Sequence, residues 1–232
     1  MRSWAEIFGN LSPNIKASLI IVVILIIFSV IVGIKAKKHD PTKPLKGILL
    51  LVDWLVDWIN SMCQENLGKY WKKFAPMMVT LAMFIFVANM SGLFGFANPT
   101  ANIAITVALG FISAFMIHYA SISANGFKNY LKSYLEPSPI MLPINIVSEL
   151  VTPFSLGMRL FGNILSGGVI LSLLYNAMAL IKIGSVPLGA MISVFVAPFF
   201  HAIFDVFFGA IQVYVFVLLT IIFISGKLPD DK

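Results

Sequence analysis

The sequence predicts an all-α polytopic membrane protein, and three observations carry that reading. Apolar residues fill 59% of 232 positions and charged residues only 11%, with a mean hydropathy of +0.94. A soluble domain carries about 25% charged residues, so this chain lacks the polar surface to cover a soluble globule of its size. Its apolar residues are gathered into runs that match the roughly 20 residues a membrane helix needs. Its cations, net +6, cluster in short segments beside those runs, which is the pattern of membrane topology rather than of nucleic-acid binding. Length allows about five or six spans in a single membrane domain, 1–232, with no sizeable soluble part. The lone Cys63 excludes an internal disulfide and has no metal spacing around it. Residues 1–13 lack a basic n-region, an apolar h-region and a cleavage site. The first span is therefore read as retained, and no transit peptide is evident.

Residues 1–45 hold the first span, Ala17–Ile34, and a basic loop. The span is a near-unbroken Ile/Val/Leu run. Its β-branched residues would suit a strand in water, but in lipid only a helix satisfies its own backbone. Lys35, Lys37, Lys38, Lys43 and Lys46 follow, with Pro41 and Pro44.

Residues 46–68 differ. Asp53, Asp57 and Asn60 recur at helical spacing, as do Trp54, Trp58 and Met62. The pattern is an amphipathic helix suited to the membrane interface, with a solvated linker helix as the plainer alternative. Lys69, Lys72 and Lys73 then introduce residues 74–120, a two-span hairpin. Its spans are Phe74–Phe94 and Ala101–Ala120, joined by the uncharged turn 89–100. His118, near the end of the second, reads as an interfacial polar residue rather than a ligand. Asn125–Pro143 reads as a loop with Lys128, Lys132, Glu136 and three prolines.

Residues 144–225 form the last unit, made of two long apolar segments, Ile144–Ile181 and Pro187–Ile224. Each would be about 57 Å long as continuous helix, against a hydrocarbon core of about 30 Å. Both must tilt, kink or lie partly in the membrane plane. Gly162, Gly167 and Gly168 in the first and Pro198 in the second are the expected bending points.

With five crossings and the N-terminus outside, the inner loops hold Lys35, Lys37, Lys38, Lys43, Lys46, Lys69, Lys72, Lys73, Lys128, Lys132, Lys227 and Lys232. The outer side holds Arg2, Lys16 and Lys182. Twelve against three orients the chain, N-terminus out and C-terminus in.

The remaining charges lie within apolar sequence: Arg159, Asp205 and Glu149. An arginine at mid-bilayer costs at least about 2.5–3.5 kcal/mol on insertion scales, so water, a counter-charge or a partner must compensate. Asn163 lies four residues after Arg159, while His201, Asp205 and Gln212 are spaced by four and seven. Each long helix thus carries one polar stripe, and facing each other the stripes would line a narrow wet path. Asp205 and His201 can exchange protons, whereas Arg159 keeps its proton and acts as a fixed charge. The alternative is an Arg159–Asp205 pair that only locks two helices. Glu149 fits a helix-end role or a channel role equally. The sequence holds no P-loop, dinucleotide fingerprint, zinc spacing or nucleophile elbow, so no cofactor, metal or catalytic residue is expected.

Pro143-Ile144-Asn145 with Glu149, then Thr152-Pro153-Phe154-Ser155-Leu156-Gly157-Met158-Arg159-Leu160-Phe161-Gly162-Asn163, resembles the signature of subunit a of F-type ATP synthases. Ala210–Thr220 resembles that family's last helix, and Asn89–Leu93 with Pro99-Thr100 its outer loop. The resemblance implies five membrane helices plus one interfacial helix, the last two membrane helices forming a long tilted hairpin against a ring of c subunits. It implies a non-catalytic, proton-translocating subunit, with two half-channels separated by Arg159, which attracts the ring carboxylate. Asp205 would line the outer half-channel with His201 assisting, because Gly168 stands where some relatives hold a carboxylate or histidine. Gln212 would neighbour the arginine, and Asn163 and Glu149 would be further polar lining. The implied partners are the c-ring, subunit b of the peripheral stalk, the whole F1Fo complex and the lipid bilayer, with no nucleic acid. A bacterial plasma membrane is the expected location, or an organelle inner membrane for an organelle-encoded homologue. A self-contained ion-coupled transporter is the competing reading, and the absence of an internal repeat weighs against it.

Overall fold

The computed structural model describes residues 11–40, 44–135, 138–181 and 188–229. Arg2, Lys43, Lys182 and Lys232 of the charge count, with Pro41, Glu136 and Pro187, lie outside the described residues. Among the described residues every regular element is helical. Five stretches are long and apolar enough to cross a membrane: Pro13–Lys38, Ile48–Phe94, Ile103–Asn125, Pro139–Ala179 and Met191–Ser225. The protein is an all-α polytopic membrane protein.

Helix α1, Pro13–Lys38, begins on a proline, whose fixed φ suits the first turn. It ends on Lys35, Lys37 and Lys38, at the negative pole of its dipole. Only Ala17 and Ile21 are buried along it. Its remaining Ile/Val surface faces outward, as a helix in lipid allows.

Helix α2, Ile48–Leu67, and α3, Trp71–Met90, are joined by a single 3₁₀ turn, Gly68–Tyr70. The sequence had placed residues 46–68 apart from the following hairpin; here they dock directly on it. Ile59, Met62, Cys63 and Leu67 recur at three- to four-residue spacing and are buried with Phe74, Ala75 and Met78 of α3. Asp53, Trp54, Asp57 and Trp58 face outward. Gly68 has φ +51°, a conformation other residues rarely adopt, which is what lets α2 fold back so abruptly.

Helix α3 ends at Met90, and the chain continues to Phe94 as a 3₁₀ turn. Helix α4, Ile103–Asn125, is capped by Asn102, whose side chain accepts from the Ala104 amide at 2.9 Å. The expected loop after it contains a short helix, α5, Phe127–Ser133, that seven polar-rich residues do not announce. Helix α6, Leu142–Ala179, is one helix of 38 residues, unbroken at Gly162, Gly167 and Gly168.

The next helix, α7, Leu188–His201, gives way to a π turn over Ala202–Phe207 before α8, Phe208–Ser225. The α-helix runs through Pro198, whose missing N–H bears on the carbonyl four residues earlier, and the irregularity lies beyond it at Ala202–Phe207.

Helices α6 and α7–α8 form the long hairpin, with Gly167 packed on Phe204 and the Gly189 amide bonded to the Ile181 carbonyl at 2.9 Å. The core lies among α2, α3, α4, α6 and α8 around Phe216, Leu160, Ile85 and Met78. The basic segments meet at one end. Lys73 Nζ donates to Ser123 at 2.6 Å, Asn125 to the Lys227 carbonyl at 2.7 Å, and Ser225 to the Asn66 carbonyl at 2.7 Å.

Candidate functional site

The hairpin brings polar residues of its two arms together near its turn and leaves Arg159 apart from them. At the end near the hairpin turn, His201 on α7 and Asp205 in the π turn are in contact, Nδ1 to Oδ2, at 2.6 Å. The other ring nitrogen, Nε2, lies 2.9 Å from the Tyr175 hydroxyl on α6. Tyr175 escaped the sequence reading, because a single tyrosine in an apolar helix carries no signal until the antiparallel register sets it beside His201. The π turn takes an extra residue, which rotates all that follows by up to about 100° relative to an unbroken α-helix. The face shared by His201 and Asp205 therefore does not run straight on to Gln212.

Gln212 is buried, 8% exposed. Its Nε2, like Asn163 Nδ2 on the facing helix, is a buried donor with no partner among the described residues. Such a donor left dry costs about 1–3 kcal/mol, so two of them beside one seam mark a place that needs water or another polar group. Counting eight residues from the Gly167–Phe204 contact reaches Arg159 back along α6 and Gln212 forward through the π turn into α8.

Arg159 is exposed and makes no hydrogen bond or ion pair among the described residues. Asp205 is bonded to His201 instead, so the helix-locking Arg159–Asp205 pair is not formed. The guanidinium shares its outward face with Ser155, Gly162 and Ser166. Just behind it α6 is held against α4 at backbone distance: a Cβ on Gly157 would stand 2.7 Å from the Thr106 carbonyl oxygen and from Val107 Cα.

Glu149 forms a second centre at the basic end. It accepts from Tyr134 and pairs with Lys227. Tyr134 continues to Tyr130 at 2.6 Å, and Tyr130 to His118 Nδ1 at 3.1 Å. Glu149 stands between a cleft of about 430 Å³, lined by His118, Tyr130 and Ile146, and a polar cleft of about 520 Å³, lined by Asn125, Lys132 and Ser148. Burial, with the nearby Glu149 charge, raises the Tyr130 hydroxyl above its ordinary pKa. Helix α5, read from sequence as loop, is what brings Tyr130 and the following Tyr134 to this carboxylate.

Two titratable clusters lie along one helix hairpin, with Arg159 between them on α6, and the fold that carries them is that of a polytopic membrane protein. Comparison with known proteins gives its family. The family model described as ATP synthase A chain matches residues 17–225. ATP synthase subunit a of Oceanobacillus iheyensis is 34% identical over 97% of this chain and 96% of its own length. Those of Staphylococcus carnosus and Anoxybacillus flavithermus are 32% and 30% identical, over 97% and 93% of this chain and 95% and 92% of their own. The chain belongs to the ATP synthase A chain family.

Proposed function

We propose that this chain is the proton-translocating subunit a of a rotary F-type ATP synthase, working against a ring of c subunits in a bacterial plasma membrane. Family membership supports the coarse assignment. The observation that carries the finer one is Arg159: a permanent cation on an apolar helix, turned outward with no counter-charge among the described residues. In lipid that arrangement is costly, and a carboxylate on a partner's surface relieves it. On this reading Asp205 and His201 serve the outer half-channel, Glu149 the inner one, and Asn163 and Gln212 solvate the seam beside Arg159. Arg159 attracts each deprotonated ring carboxylate and, being unable to release its proton, keeps the two half-channels from short-circuiting. The chain performs no covalent chemistry and contributes to ATP synthesis only through the assembly, which includes subunit b of the peripheral stalk.

The test is purification of the tagged chain from membranes in mild detergent. Recovery with a c-ring and peripheral-stalk subunits is the expected result. A chain that comes alone and transports a solute after reconstitution would instead be a self-contained transporter.

A further inference from the structure

The hydrogen bond from Tyr175 has a consequence for the order of the outer path. An ionised Asp205 offers only acceptors, so its 2.6 Å contact with His201 requires the ring proton on Nδ1. Nε2 is then an acceptor, and the Tyr175 hydroxyl at 2.9 Å supplies the donor. The two contacts are made from opposite arms of the hairpin, and the π turn sets Asp205 under the ring. The carboxylate contact sets the tautomer, the hydroxyl contact fixes the ring from its other side, and together they hold the imidazole between the arms.

We propose that Tyr175 is a positioning residue of the outer half-channel: its hydroxyl anchors the His201 ring through Nε2, so that Nδ1 stays aimed at Asp205. This rests on the reading that Asp205 and His201 line that half-channel. In a membrane helix a tyrosine facing lipid would point its hydroxyl at a headgroup. This one is half-buried and turned into the hairpin, where its hydroxyl meets His201. Residues that orient an imidazole through its second nitrogen commonly change its function 10–100-fold when removed.

The experiment measures passive proton flux through vesicles that carry the assembled complex stripped of its soluble sector. Tyr175→Phe, which deletes only the hydroxyl, is expected to lower flux about tenfold. In a His201→Ala background the same change should have no effect beyond about twofold, because a residue acting through the imidazole has nothing left to act on. Full flux in Tyr175→Phe overturns the proposal, and so does an equal further loss in the His201→Ala background, which marks a packing role. Should Tyr175→Phe fail to assemble, 3,5-difluorotyrosine at position 175 keeps the ring and alters only the acidity of the hydroxyl. It shifts the pH midpoint of flux if the hydroxyl holds His201, and an unchanged midpoint overturns the proposal. Asp205→Asn run alongside separates the two levels: undiminished flux there defeats the outer-path reading itself, whereas loss there with normal Tyr175→Phe defeats only the role of Tyr175.

Discussion

Gly110 on α4 meets Pro153 on α6 so closely that a Cβ on the glycine would stand 2.0 Å from the proline carbonyl oxygen. One turn on, Gly157 is pressed in the same way on Thr106 and Val107. The two glycines clamp α6 to α4 immediately before Arg159, so the arginine projects from a fixed backbone. Neither neighbour is a flexible side-chain tip, and the helices must part to admit a methyl group. Overpacking costs about 1–3 kcal/mol, occasionally more, and backbone contact puts these sites at the upper end. Gly110→Ala and Gly157→Val should each lower the Tm of the detergent-solubilised protein. Buried Cys63 supplies the readout, since maleimide should reach it only on unfolding. Unchanged labelling curves would contradict this packing.

Asn89 should be a second structural anchor. Its amide donates to the Gly209 carbonyl at 3.3 Å, and its carbonyl oxygen accepts from Thr100 at 2.9 Å. This joins the end of α3, the following turn and the start of α8 just after the π turn. Asn89→Ala removes both bonds, but Thr100 keeps its 2.6 Å contact with Asn98, so the expected loss is that of ordinary hydrogen bonds, about 0.5–1.5 kcal/mol each. Thermal unfolding checks it, and a Tm within error of the parent would mean that water replaces the side chain freely.

The raised pKa of Tyr130 sets a direction for alkaline stability. The folded protein favours the neutral phenol, with burial the larger cause and the Glu149 charge the second. The contribution is therefore fully present below the ordinary tyrosine value of 10.0 and is lost as the pH rises through the higher folded value. Tyr130→Phe should flatten the fall of Tm above about pH 10. Parallel curves for parent and variant would contradict it.

The Glu149–Lys227 pair separates structure from transport. Its side chains are 17% and 32% exposed, so water still reaches both partners and screens their attraction. Lys227→Met should therefore leave Tm nearly unchanged while lowering proton flux severalfold, if Glu149 serves the inner half-channel as proposed and loses the field of its cation. A large drop in Tm with normal flux would make the pair a structural clasp.

Much of this was legible in the sequence, and the exceptions have physical causes. Apolar runs and lysine clusters gave every long helix, because lipid leaves a long apolar segment no alternative to the helix. Arg159, Asp205 and Glu149 stood out because charge in apolar sequence is costly. The contact of His201 with Asp205 followed from their spacing of four. What escaped depends on tertiary register or on backbone detail. Tyr175 meets His201 only across the hairpin. Helix α5 is too short to show a period. The π turn begins four residues past Pro198, in a stretch whose extra residue no sequence period reports. The glycines at 162, 167 and 168 were expected to bend α6 and instead sit within an unbroken helix. Gly167 gives Phe204 room to pack, and nothing lies near where a Cβ of Gly162 or Gly168 would stand.

The central claim is that Arg159 faces a partner and gates the path. The most direct measurement is ATP-driven proton pumping in inverted membrane vesicles carrying Arg159→Ala, with assembly verified by blotting. Loss of pumping in a fully assembled complex is the predicted result. Pumping at the parent rate in an assembled complex would contradict the account, since an exposed, unpaired arginine would then have no part in moving ions.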